Sequence, residues 1–85
     1  MKNVSECGVI LFNKNMMDVL IVFQHKSKKW GFPKGYMTRN ELYKKEYFKC
    51  AKRELCEETG IDLRLTQYTK YGSVIIGNKL FFVIE

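Results

Sequence analysis

Residues Arg53 to Ile61 read RELCEETGI, three glutamates within little more than one helical turn followed by a glycine. At about 100° per residue, Glu54, Glu57 and Glu58 fall within roughly a 100° arc of one helix face. Like charges at that spacing repel, and the C-terminal end of a helix, where the dipole is negative, is an unfavourable place for them. A local rule broken in this way points to a site. A hard divalent cation with oxygen ligands would relieve the repulsion; magnesium typically takes one or two carboxylates together with substrate phosphates. The plainer alternative is a solvated acidic face neutralised by Lys49, Lys52 and Arg53, for instance through an Arg53–Glu57 pair at i,i+4.

Upstream, Trp30 to Gly35 read WGFPKG, two glycines and the chain's single proline around Lys34. Such a loop before a long helical pattern suits a phosphate-bearing ligand. Acidic helix and glycine loop together resemble the Nudix hydrolases, whose box is G-x5-E-x7-R-E-U-x-E-E-x-G-U with U bulky and aliphatic. Gly35 and Glu41 match the first half; Arg53, Glu54, Leu55, Glu57, Glu58, Gly60 and Ile61 match the whole second half. At average residue usage the second half arises by chance on the order of once in 10⁷ starting positions.

The chain departs from the pattern between Glu41 and Arg53, where eleven residues stand in place of seven. Four added residues are close to one turn, so a continuous helix over Arg39 to Thr59 would keep its face with about 40° of drift. The insertion leaves the partner of Arg53 open. In the family the first glutamate of the box pairs with that arginine, which points to Glu41. Glu46 stands seven residues before Arg53 and is the other candidate. Thr38 and Glu41 also have the spacing of a capping box, a structural role for Glu41.

The resemblance implies a function and a site. Nudix enzymes hydrolyse a nucleoside diphosphate linked to another group. Glu54, Glu57 and Glu58, with the Gly35 carbonyl, would be ligands to Mg²⁺ or Mn²⁺. Glu57, Glu58 and Arg53 would form the catalytic set, with Arg53 orienting carboxylates, and Lys34 would meet phosphate. Trp30 and Tyr36 are candidate substrate contacts by stacking on a base, as is Phe32; core packing is the alternative for Trp30 and Phe32. His25, the single histidine, is expected to be structural. The WGFPKG string looks most like the mRNA-decapping branch, with capped RNA as substrate. A lysine commonly follows the second glycine there, and Tyr36 replaces it, which keeps a (di)nucleoside polyphosphate pyrophosphohydrolase in view. A third reading is an inactive module that binds RNA or nucleotide.

Composition sets the outer limits. With 85 residues, 46% apolar, the chain suits one small domain, residues 1–85. A net charge of +6 and a pI near 9.3 suit a polyphosphate or RNA partner. Cys7, Cys50 and Cys56 are odd in number and lack zinc spacing, so they are expected to be reduced thiols of an intracellular, cytoplasmic protein. No apolar run approaches the roughly 20 residues that span a bilayer, and no membrane partner is expected.

Coarse patterning gives a strand over Glu6 to Phe12, a turn over Asn13 to Met17, and an inner strand over Val19 to Gln24, apolar on both faces. Then come the long helix, with Phe48, Ala51 and Leu55 facing the core, and Gly60 as its stop. Strand-prone segments follow near Leu65 to Tyr71, Ser73 to Ile76 and Leu80 to Ile84, with Gly77-Asn78 as a turn. The order is α/β, matching the mixed-sheet α/β/α sandwich of the Nudix fold, incomplete at the C-terminus. The 85 residues would be a fragment of a longer protein or a shortened form whose exposed sheet is covered by homodimerisation.

Overall fold

A computed structural model describes residues 3–85. Its centre is β1, Glu6–Asn13, buried from Glu6 to Val9. One side of β1 pairs in parallel with β7, Lys79–Ile84. Its other side is shared antiparallel between β5, Lys34–Tyr36, at its start and β2, Asp18–Val19, at its end. The strand β6, Lys70–Ile76, pairs antiparallel with β7 through the Gly77-Asn78 turn, giving the order β2-β1-β7-β6 with β5 beside β1. A separate two-stranded ribbon joins β3, Val22–Gln24, to β4, Lys29–Gly31.

Helices cover one face. The short α1, Arg39–Lys44, begins with the expected capping box: the Glu41 amide donates to the Thr38 hydroxyl at 3.1 Å and the Thr38 amide to Glu41 Oε1 at 2.8 Å. The longer α2, Tyr47–Thr59, lies against β1 and turns Cys50, Ala51 and Leu55 fully inward, with Phe48 partly buried against the same core. Leu80, Phe82 and Ile84 of β7 complete the core with Cys7 and Val9. At the end of α2, Gly60 adopts φ +80°, a left-handed conformation that its lack of a Cβ permits, and its amide donates to the Cys56 carbonyl.

Three expectations are corrected. The helix over Arg39 to Thr59 is not continuous: Lys45 enters the left-handed region at φ 56° and the chain restarts at α2. Val19 to Gln24 is not an inner strand. It is interrupted at Leu20 and Ile21, and Val19, Ile21 and Phe23 stand exposed, because β1 and β7 occupy the middle of the sheet. Leu65 to Tyr71 is mostly not a strand; Asp62 caps a single 3₁₀ turn over Leu63–Leu65 by accepting from the Arg64 amide at 2.9 Å, and β6 starts only at Lys70. All seven residues of β6 are exposed. Among the described residues no helix is long and apolar enough to cross a membrane.

Candidate functional site

The register of β5 against β1 places Gly35 opposite Cys7, beneath the outer half of α2. A Cβ at position 35 would meet the carboxyl group of Glu54, which would have to move aside. This close approach explains the glycine. It brings a backbone strand and the most buried glutamate of α2 into direct contact, and Cys50 Sγ donates to the Gly35 carbonyl at 3.8 Å.

Arg53 organises the acidic face. Its Nε donates to Glu41 Oε2 at 3.0 Å and its Nη2 to Glu41 Oε1 at 2.9 Å, a two-pronged pair with a carboxylate that is only 4% exposed. Nη1 reaches Glu54 at 2.7 Å and Glu57 at 3.1 Å, and Nη2 also donates to the Tyr36 carbonyl at 3.1 Å. One guanidinium therefore ties α1, α2 and β5 together, using the planar fork that a lysine lacks. The Arg53 hydrogen bonds hold the Glu41 carboxyl at about 2, well below the usual carboxylate range. In return Glu41, followed by Glu57 and Glu54, raises the arginine further above its ordinary range.

This geometry decides between Glu41 and Glu46. Glu41 both caps α1 and anchors Arg53, so its two candidate roles coexist. Glu46 sits at the start of α2 and pairs with Lys49 at 3.7 Å. The stretch between Glu41 and Arg53 that carries the four added residues breaks at Lys45 and restarts at Tyr47, and Glu41 stays within reach of Arg53.

Glu58 has a different partner. Gln24 Nε2 donates to Glu58 Oε1 at 3.3 Å and to the Phe32 carbonyl at 3.2 Å, linking the β3–β4 ribbon to the acidic face. Burial raises the Glu58 carboxyl above its usual range; nearby Glu54 adds to the rise, while the Lys34 amide and ammonium oppose it. Lys34, the candidate phosphate contact, donates to Glu6 Oε1 at 3.1 Å, and Lys79 lies 3.9 Å from the other oxygen of that buried carboxylate.

The structure brings Glu54, Glu57, Glu58, Arg53 and Gly35 onto one face. Tyr36, 70% exposed, lies beside them on β5, and Trp30, 67% exposed, projects from the ribbon. Core packing is thereby excluded for Trp30, whereas Phe32 packs edge-on to Phe81 with centroids 5.5 Å apart. His25 is exposed and packs against Phe23. Glu6 and Gln24 were missed by sequence reasoning. Each is a polar residue inside a strand-like run, Glu6 at its start and Gln24 at its end, and that interruption was the available signal.

Among the described residues no three His, Cys, Asp or Glu side chains converge as a ready metal-ligand set. Two of the three helix carboxylates are engaged by Arg53 and the third by Gln24. The donor chemistry nevertheless fits a hard dication: all-oxygen ligands on one face, close to a backbone carbonyl, with a glycine cradle that a Cβ would fill.

A family model for the NUDIX domain matches residues 2–82. The chain belongs to the Nudix family. This Nudix chain is 34% identical over 62 residues to the mRNA-decapping enzyme subunit 2 of Saccharomyces cerevisiae strain YJM789, a match covering 73% of this chain and 6% of that relative. The m7GpppN-mRNA hydrolase of Saccharomyces cerevisiae strain ATCC 204508 / S288c matches with the same identity and coverage. The 111R protein of Invertebrate iridescent virus 3 is 51% identical over 37 residues, covering 44% of this chain and 20% of that protein. The chain thus spans a small part of each relative's length. The family generally uses divalent metal ions.

Proposed function

We propose that this Nudix domain hydrolyses a nucleoside-diphosphate linkage with Mg²⁺ or Mn²⁺, and that its substrate is the capped 5′ end of mRNA. The observation that carries this is the similarity over 73% of the chain to decapping relatives, combined with an acidic helix face held against the Gly35 strand. Glu54, Glu57 and Glu58, with the Gly35 carbonyl, would hold the metal. When bound, it supplies charge neutralisation on phosphoryl oxygens and lowers the pKa of a bound water. Arg53 positions the carboxylates of Glu54 and Glu57 and keeps α1 attached to α2. Glu58 is the member of the set not held by the arginine; it accepts from Gln24 instead. Free buried Cys7 and Cys50 suit a reducing, cytoplasmic setting. The open edge and exposed face of β6 suit a second copy of the chain as cover.

The second reading, hydrolysis of small (di)nucleoside polyphosphates, is favoured by one observation: the position after Gly35 holds exposed Tyr36 rather than a cation. The deciding experiment is release of nucleoside diphosphate from cap-labelled RNA by the chain in Mn²⁺ or Mg²⁺, beside Glu58→Gln. Product from wild type alone supports decapping. Product only from a dinucleoside polyphosphate supports the second reading, and no metal-dependent product from either substrate overturns both.

A further inference from the structure

The β3–β4 ribbon stands apart from the five-stranded sheet and shows a pattern of its own. Along Ile21 to His25 exposure alternates, so Ile21, Phe23 and His25 face solvent while Val22 and Gln24 face the protein. Phe23 is directly opposite Trp30 across the ribbon, their rings 5.5 Å apart, and the His25 ring lies edge-on to Phe23 at 5.1 Å. Three flat rings thus form one continuous exposed surface. A two-stranded ribbon is marginal by itself, and placing its aromatics outward rather than on the core is a cost that calls for a partner.

Charge indicates which partner. From Val19 to Asn40 the sequence has five Lys or Arg and no Asp or Glu, so most of the chain's net +6 is concentrated there. Lys26 and Lys28 sit in the turn at the tip of the ribbon and Lys29 opens β4; all three are exposed, and none is in an ion pair among the described residues. Stacking faces interleaved with unpaired cations form the pattern that binds single strands of nucleic acid, where bases stack on rings and phosphates meet lysines. Through Gln24 the inner face of the same ribbon is hydrogen-bonded to Glu58, so this surface adjoins the acidic face.

We propose that the β3–β4 ribbon is a docking surface for single-stranded RNA, with bases on Phe23, His25 and Trp30 and phosphates on Lys26, Lys28 and Lys29. The placement rests on the proposed hydrolase for its proximity to a scissile phosphate, but binding itself does not require catalysis. Stacking and phosphate contacts carry no base code, so binding is expected to be tolerant of sequence.

Trp30 is the chain's single tryptophan, so its fluorescence reports directly on this surface. In EDTA, titration with an uncapped oligouridylate of about a dozen nucleotides should quench it. Labelled RNA followed by anisotropy should bind Trp30→Ala about tenfold or more weakly. A Lys28→Ala/Lys29→Ala double variant should lower the slope of log affinity against log salt by about 0.7 per lysine. Thermal transitions show whether each variant is folded; if Trp30→Ala does not fold, the wild-type quench and the lysine variant decide. Absence of quenching, unchanged affinity in folded variants, or equal quenching by an acidic peptide of matched charge would overturn the proposal. Because neither cap nor metal is present, failure here is separate from failure to release nucleoside diphosphate.

Discussion

Replacing Glu41 with glutamine removes one charge from the joint between α1 and α2 and turns one of the two oxygens that accept from Arg53 into a donor. Glutamine serves equally well in a capping box, so the Thr38 contacts persist. What is lost is the charge that accepts two hydrogen bonds from Arg53 at 2.9 and 3.0 Å. The folded-state carboxyl lies at about 2 against an ordinary value of 4.5, which corresponds to about 3 kcal/mol of stability at neutral pH. Hydrogen bonds to charged groups contribute about 1.5–3 kcal/mol by mutation, the same range. In a domain of this size that is a fall in Tm of roughly 12–24 °C. The folded pKa is depressed, so the contribution is fully present above the unfolded value near 4.5 and is lost as pH falls towards about 2. Urea unfolding of wild type and Glu41→Gln, followed by Trp30 fluorescence, should show a gap of about 3 kcal/mol at pH 7, narrowing to about 1 kcal/mol at pH 3. A gap that is the same at both pH values would refute the reasoning, as would one under about 0.5 kcal/mol at pH 7.

Two further predictions probe other parts of the molecule. Gly35→Ala drives the Glu54 carboxyl aside, a movement a flexible side chain can make, so unfolding free energy should fall by less than about 1 kcal/mol while metal-dependent turnover falls on the order of 10²-fold; large loss of stability with intact turnover would contradict the cradle. In a thiol titration of the folded chain, Cys56 alone should react promptly, because it is exposed while Cys7 and Cys50 are fully buried; rapid modification of all three would show that the core opens.

The parts of the fold legible in the sequence were those set by local chemistry. The Thr38–Glu41 capping box, the Gly60 stop and the Gly77-Asn78 turn are written in a few adjacent residues, and all three are present. The inward stripe of Ala51 and Leu55 follows from helical period alone. Errors came where tertiary placement overrides pattern. The Val19 to Phe23 run is as apolar as an inner strand, but β7, far along the chain, pairs with β1 and takes the central position. For Trp30 stacking on a base and core packing both stood open, and the cross-strand pairing of the ribbon, which no local pattern announces, leaves it exposed. In the site, residue identity disclosed Glu54, Glu57, Glu58, Arg53 and Gly35, but not that Arg53 and Gln24 hold the carboxylates, since those contacts join separate elements.

The left-handed residue at Lys45 also has a bearing on how this domain tolerates change in length. Had the four extra residues lengthened one rigid rod, every downstream carboxylate would have rotated with them, and each further insertion would have moved the acidic face again. A break at Lys45 followed by a fresh start at Tyr47 acts as a clutch: residues gained or lost there slip without turning α2. The joint between Lys44 and Tyr47 is thus the natural place to splice in a label or a reporter loop, provided Glu41 still reaches Arg53.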